Sequence, residues 1–97
     1  MALYVTLVNF TEKGLAAVKD SVKRAEGFKA LAREHGATVR EIVWTQGAYD
    51  IVTLVEAPDD ESVSALLLSL SRLGNVRGQT LRGFNAEEMQ KILDKVA

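Results

Sequence analysis

The sequence contains no cysteine, one histidine and one proline in 97 residues. Without cysteine the chain has no disulfide, no thiolate nucleophile and no cysteine-ligated metal. A single histidine makes any histidine metal centre dependent on other subunits, so we assign no metal and no cofactor. The absence of cysteine also fits the cytoplasm, which is the location that we expect.

The chain also has no large excess of positive or of negative charge. The chain has 12 Lys+Arg and 13 Asp+Glu, with a formal net charge of −1. Such a balance gives no basic field for a phosphate backbone, so nucleic acid is not an expected partner. No apolar run approaches the roughly 20 residues of a membrane helix, and residues 1–10 carry no basic segment. A membrane partner is therefore not expected either.

Hydrophobic residues make up 47% of the chain, which is enough for the core of one domain over residues 1–97. Apolar patterning predicts strands over residues 3–10, 38–45, 49–56 and 75–84. Apolar residues recur at helical spacing in two segments. The first begins after the cap residue Thr11 and ends at Gly36, and the second lies between Asp59 and Gly74. A shorter amphipathic helix follows Asn85, in a pattern that resembles a capping box.

The first helical segment is too long for the strand beside it. Residues 12–35 as one straight helix would span roughly 36 Å, against about 26 Å for an eight-residue strand. Asp20 and Ser21 offer a second helix start. The sequence therefore predicts a break or bend at that pair.

The predicted order of elements is βαββαβ with an extra C-terminal helix. This order is typical of a ferredoxin-like α+β sandwich, in which helices cover one face of an antiparallel sheet. Right-handed crossovers give the strand order 4-1-3-2.

Both faces of the predicted sheet carry apolar side chains. Along one strand Ile51 and Val55 alternate with Val52 and Leu54, and along another Ile42 and Trp44 alternate with Val39 and Val43. Leaving six such side chains in water forgoes roughly 1.5–3 kcal/mol each. A second subunit is the simplest cover, so the sequence predicts a homo-oligomer, a dimer or larger.

Several segments together resemble the GYD domain family. They are residues 4–11, Gly14, Arg24, residues 44–47, Tyr49-Asp50, residues 56–60 and residues 74–77. The resemblance extends over nearly the whole chain, with Ala48 standing between the glycine and the tyrosine of the Gly-Tyr-Asp signature. It implies a dimeric α+β barrel, shared with antibiotic-biosynthesis-type monooxygenases and ligand-binding regulatory domains. It implies no established activity.

The predicted topology gathers polar and aromatic residues at one end of the sheet. We take as the candidate pocket Asn9, Trp44, Tyr49, Asp50 and Arg77. In a functional interpretation Asp50 acts as a base or anchor, Arg77 as a charge clamp and Tyr49 as a hydrogen-bond donor. In a structural one, Asp50 satisfies turn amides, and Tyr49 and Trp44 fill the barrel.

Three functions remain open from the sequence. The first is a homo-oligomeric sensor or carrier that holds an apolar or weakly polar small molecule between the sheet and the helices. The second is a cofactor-independent monooxygenase- or isomerase-like enzyme, and the third is an assembly scaffold. A dry apolar cavity would favour binding, a desolvated Asp50 facing an open cavity would favour the enzyme, and no cavity would favour assembly.

Overall fold

A computed structural model describes the whole chain, residues 1–97. The strands are β1 (Ala2–Phe10), β2 (Thr38–Trp44), β3 (Ile51–Ala57) and β4 (Val76–Gly83). The helices are α1 (Glu12–Ala16), α2 (Ser21–Glu34), α3 (Asp60–Ser71) and α4 (Ala86–Leu93), with a 3₁₀ turn over Val18–Asp20. The elements follow the predicted order.

The four strands form one antiparallel sheet in the order β2-β3-β1-β4. This is the predicted order, with β1 and β3 at the centre and β2 and β4 at the edges. In the register of the two central strands, Thr6 lies opposite Thr53, and Val8 lies opposite Ile51. The fold is therefore the predicted ferredoxin-like sandwich.

Side-chain caps begin the helices, and glycines end them, where the sequence predicts. Thr11 accepts a hydrogen bond from the amide of Gly14, and Asp59 accepts one from the amide of Ser62. The φ angles of Gly36 and Gly74 are 72° and 86°, values that glycine adopts without steric cost. Asn85 and Glu88 form a complete capping box at the start of α4.

The long helical segment breaks at the predicted place. A 3₁₀ turn separates α1 from α2, and α2 begins at Ser21. Asp20 is the N-cap residue of α2, but its side chain makes no capping hydrogen bond. The break is instead held by Arg24, whose guanidinium donates to the carbonyl oxygens of Ala17 at 3.0 Å and Gly14 at 3.3 Å.

The core lies between the sheet and helices α2 and α3. It is formed by side chains of the helix-facing side of β1 and β3 and by the helix residues above them. Its members are Tyr4, Phe28, Ala32, Ala37, Val55, Ala57, Val63 and Leu66. Burial alternates strictly along β3, because every second side chain points to the helices.

One predicted face assignment is wrong. The sequence places Val39 on the face opposite Ile42 and Trp44, but Val39 lies opposite Val55 and packs against the core. The register shifts between Val39 and Glu41, which leaves Arg40 without a partner in the ladder. A β-bulge adds one residue and so reverses the alternation. Val39, Ile42 and Trp44 therefore share the helix-facing side.

The second face of the sheet is bare in the single chain. We call this surface the open face; its apolar members are Leu3, Val5, Leu7, Val43, Val52, Leu54 and Leu81. The side chains from β1 and β3 are half-buried, while Val43 and Leu81 at the edges are 46% and 44% exposed. The predicted two-sided apolar character is thus present, since no element of the chain covers this face.

Helix α4 lies at the end of the chain, and none of its residues is buried. Its apolar stripe is Met89, Ile92, Leu93 and Val96, which continues past the end of the helix, and each of these side chains is 36% to 66% exposed. No helix in the chain has the length and hydropathy needed to cross a membrane.

Candidate functional site

A cavity of about 320 Å³ lies between the helix-facing side of the sheet and helix α2. Most of its wall is hydrophobic, with Val8 and Ile51 from the sheet and Phe28, Leu31 and Leu70 from the helices. The volume is at the lower end of the range for small-molecule sites. Three of the α2 residues in its wall are small, namely Ser21, Ala25 and Gly27.

The floor of the cavity carries two threonines. Thr6 of β1 and Thr53 of β3 are cross-strand partners, and their hydroxyl groups are hydrogen-bonded to each other. Both residues line the cavity, and their exposed fractions are 0% and 3%. They form a polar point in a surface that is otherwise aliphatic and aromatic.

Arg24 is the one charged residue in the wall of the cavity. Its guanidinium donates to the carbonyls of Gly14 and Ala17, at the end of α1 and just beyond it. Gly14 in turn packs on the loop before β4, where a side chain on it would collide with the carbonyl oxygen of Asn75. Asn75 also lines the cavity, so Gly14 connects two residues of the cavity wall, Arg24 and Asn75.

Trp44 from the predicted pocket lies on the helix-facing side of the sheet. Its indole Nε1 donates to Ser21 Oγ at 2.8 Å, which ties the end of β2 to the start of α2. Ser21 lines the cavity, whereas Trp44 is 42% exposed and does not. Trp44 therefore positions the helix that forms the cavity roof.

Asp50 binds backbone at the start of β3. Its Oδ2 accepts a hydrogen bond from the amide of Phe10 at 2.9 Å, and its own amide donates to the carbonyl of Val8 at 2.9 Å. Its carbonyl accepts from the amide of Thr45 at 2.8 Å. Asp50 thus joins the ends of three strands, and it is not part of the cavity wall.

Asn9, Tyr49 and Arg77 line a shallow concavity on the open face. Asn9 and Arg77 are partners in the β1–β4 ladder, and the hydroxyl of Tyr49 accepts a hydrogen bond from Gln79 Nε2 at 3.2 Å. The five residues of the predicted pocket therefore share one end of the sheet but are divided between its two faces. Alternation of side chains along the strands causes this division.

Sequence reasoning missed the threonine pair and the aromatic wall at Phe28. A signal for the pair exists, because Thr6 and Thr53 each interrupt an apolar strand. The strand order places these strands side by side, and an antiparallel register then brings the two hydroxyls together. The residue pattern does not determine that register.

The buried titratable group of the domain lies outside the cavity. Tyr4 donates from its hydroxyl to Asp60 Oδ1 at 2.5 Å. Burial, and then the hydrogen bond to Asp60, raise the pKa of Tyr4 to about 12. The chain contains no cluster of three or more His, Asp or Glu side chains that could hold a metal ion.

The antiparallel sheet, its helix layer and the cavity between them define a ferredoxin-like α+β domain with a pocket that is partly open to solvent. A family model described as "GYD domain" matches residues 4–93. Because this match covers nearly the whole chain, the protein belongs to the GYD domain family.

The chain is also similar to two proteins from Thermus thermophilus. The chain is 29% identical over 90 residues to a protein named "Glutamine synthetase and cystathionine beta-lyase binding protein", covering 92% of this chain and 95% of that protein. It also resembles the crystal structure of TTHA0845, with a TM-score of 0.57 and 24% identity, over 89% of this chain and 96% of the other. The second likeness supports the fold alone.

Proposed function

We propose that the protein is a small homo-oligomeric binding protein, a sensor or carrier that holds an apolar or weakly polar small molecule in the cavity between the sheet and α2. The observation that carries this proposal is the cavity itself, about 320 Å³ in volume and walled mainly by hydrophobic side chains. Apolar walls with a few polar groups are typical of small-molecule sites.

The contents of the cavity wall favour binding over catalysis. A general acid or base must lie within hydrogen-bond reach of its substrate. The wall contains no Asp, Glu, His, Tyr or Lys, and its only charged residue is Arg24. Asp50, Tyr49 and Arg77, which an enzyme of this type would use, lie outside it. This arrangement supports a binding role.

The open face supports the homo-oligomer. Its apolar side chains from two central strands are half-buried at most, and an open apolar sheet is a self-complementary surface. A second copy placed on it would bury Leu7, Val52 and Leu54. The shallow concavity at Tyr49 would then be enclosed between the two sheets.

A protein partner is the second candidate function. The Thermus thermophilus relative is named for binding two enzymes, and here α4 presents an apolar stripe on a helix without buried residues. Exposed amphipathic helices commonly bind a groove on another protein. A cavity that senses a small molecule and an outer surface that contacts an enzyme would together make a regulatory protein.

The cavity is tested by native mass spectrometry of freshly purified protein, in search of a co-purified small molecule. Ala25 lines the cavity and is buried, while Ala30 lies on the same helix and is exposed. We expect Ala25→Phe to remove the bound molecule, because the added ring occupies the cavity. Ala30→Phe is the matched control and should retain it.

Two results would count against the proposal. A molecule that remains bound at unchanged occupancy in Ala25→Phe would lie somewhere other than the cavity. Wild-type protein that carries no ligand, and that is not stabilised against heat by any member of a library of small apolar compounds, would leave the cavity without a binding role and favour the protein-partner candidate.

A further inference from the structure

The threonine pair on the cavity floor has unused hydrogen-bonding capacity. Each hydroxyl offers one proton and two lone pairs. The hydrogen bond between Thr6 and Thr53 uses one proton and one lone pair, and neither hydroxyl makes another hydrogen bond with the protein. One proton and three lone pairs are therefore free, on residues that are almost completely buried.

The spare hydrogen-bonding capacity of the pair is available to a ligand. Each hydroxyl already has one partner, the other threonine, but the proton that is left over gains no hydrogen bond when it loses water. Valine has the same shape as threonine and would pack in the same place without this cost. A buried pair of directly opposite residues that faces a cavity is suited to a ligand oxygen that accepts the free proton or donates to a free lone pair.

The charged side chain in the cavity wall already has hydrogen-bond partners within the protein. Arg24 has no carboxylate partner in any ion pair of the chain. Its guanidinium instead donates to carbonyls at the C-terminal end of α1 and in the turn that follows, which carry partial negative charge. Arg24 therefore links α1 to α2, and two of its hydrogen-bond donors are already used within the protein.

We infer that the cavity takes an uncharged, mainly apolar molecule with a single hydroxyl or carbonyl oxygen, which is bound by the Thr6–Thr53 pair. This inference rests on the proposed binding function and specifies its ligand class. A carboxylate bound to the threonine pair would lose its hydration in an apolar cavity whose one cation, Arg24, already donates to the carbonyls of Gly14 and Ala17.

The test compares three probes with the same ring system: naphthalene, naphthol and naphthoate. Their affinities are measured by calorimetry for wild-type protein and for the double variant Thr6→Val/Thr53→Val. Both substitutions keep the side-chain shape, and removing both partners of a hydrogen bond together has little effect on the free energy of unfolding. Ala25→Phe serves as the blocked-cavity control.

For wild type we expect naphthol to bind about three- to tenfold more tightly than naphthalene, the contribution of one net hydrogen bond. In the double variant this preference should disappear, while naphthalene binds at least as well as before. None of the probes should bind Ala25→Phe.

Other outcomes overturn the inference in distinguishable ways. Equal affinities of naphthol and naphthalene, unchanged by the double variant, would remove the role of the threonines and leave the binding function standing. Tightest binding by naphthoate, lost in Arg24→Gln, would replace the uncharged ligand class by an anion. Failure of all three probes to bind wild-type protein would reject both the inference and the proposed function of the cavity.

Discussion

The two faces of the same sheet differ more than any other two parts of the molecule. On the helix-facing side Tyr4, Val8 and Val55 are at most 4% exposed. On the open face their sequence neighbours Val5, Leu7 and Leu54 are equally apolar but only half-buried. Composition is nearly the same on both faces, so the difference comes from the helices, which cover one face only.

This difference separates the requirements of folding from those of assembly. The helix-facing side, which we call the covered face, supplies the core of the single chain and one wall of the cavity. The open face contributes little to the chain alone, yet it keeps residues that water does not favour. A surface with this character is expected to be buried in a larger assembly.

The largest effect is expected from a cavity made in the covered face. Leu66 is completely buried in the core, so Leu66→Ala should lower the free energy of unfolding by about 2–5 kcal/mol. Leu54→Ala removes the same atoms from the open face and should cost roughly 1 kcal/mol in a dilute sample of single chains. Urea unfolding of both variants measures the contrast. Equal losses would mean that the two faces are equally buried in solution.

The next effect concerns assembly. Leu54→Lys places a charge in the centre of the open face, and a buried unpaired charge should weaken self-association by about a hundredfold or more. Leu68→Lys is the control, because Leu68 is 70% exposed on α3, away from that face. Sedimentation at several protein concentrations measures both. If wild-type protein sediments only as a single chain at micromolar concentration, the predicted homo-oligomer is wrong.

Much of this architecture follows from local signals in the sequence. The caps at Thr11 and Asp59 and the helix ends at Gly36 and Gly74 are determined by residues close to them in the chain. The strand order follows from the order of the elements and the right-handedness of crossovers. The break before Ser21 follows from a length mismatch that any continuous helix would have. The bulge at Arg40 has no such signal, because nothing in the residue pattern marks which position of β2 leaves the ladder.

The candidate site was less accessible to sequence reasoning than the fold. The predicted residues meet at one end of the sheet, but Trp44 points to the helices while Asn9, Tyr49 and Arg77 point to the open face. The cavity lies where α2 presents the small residues Ser21, Ala25 and Gly27, and residue size leaves no mark on periodicity. The leading hypothesis places a ligand between the sheet and the helices, but the sequence leaves open whether a cavity exists there.

A smaller effect on stability tests whether Asp50 has a structural role or takes part in ligand binding. Its carboxylate accepts a hydrogen bond from the Phe10 amide and does not line the cavity. Asp50→Asn should therefore lower the free energy of unfolding by about 1–2 kcal/mol, through a weaker hydrogen bond, and leave cavity binding unchanged. Thermal unfolding and the affinity for naphthol measure the two quantities. A stable variant that no longer binds would make Asp50 a ligand residue after all.

The smallest effect on the free energy of unfolding at neutral pH is expected from Tyr4 on the covered face. This effect becomes larger at alkaline pH. Burial first, and then the hydrogen bond to Asp60, raise the pKa of Tyr4 from 10.0 to about 12. The unfolded chain releases this proton near its ordinary pKa while the folded chain keeps it, so the free energy of unfolding should be constant below that value and fall as the pH rises towards about 12. Urea unfolding of Tyr4→Phe should lack this component of the alkaline loss, whereas Tyr49→Phe, which alters the open-face tyrosine, should retain it. A parallel loss of stability by the two variants above about pH 10 would mean that burial on the helix-facing side does not hold the proton on the hydroxyl of Tyr4. The contrast between the two faces would then be weaker in solution than the burial of Tyr4 indicates.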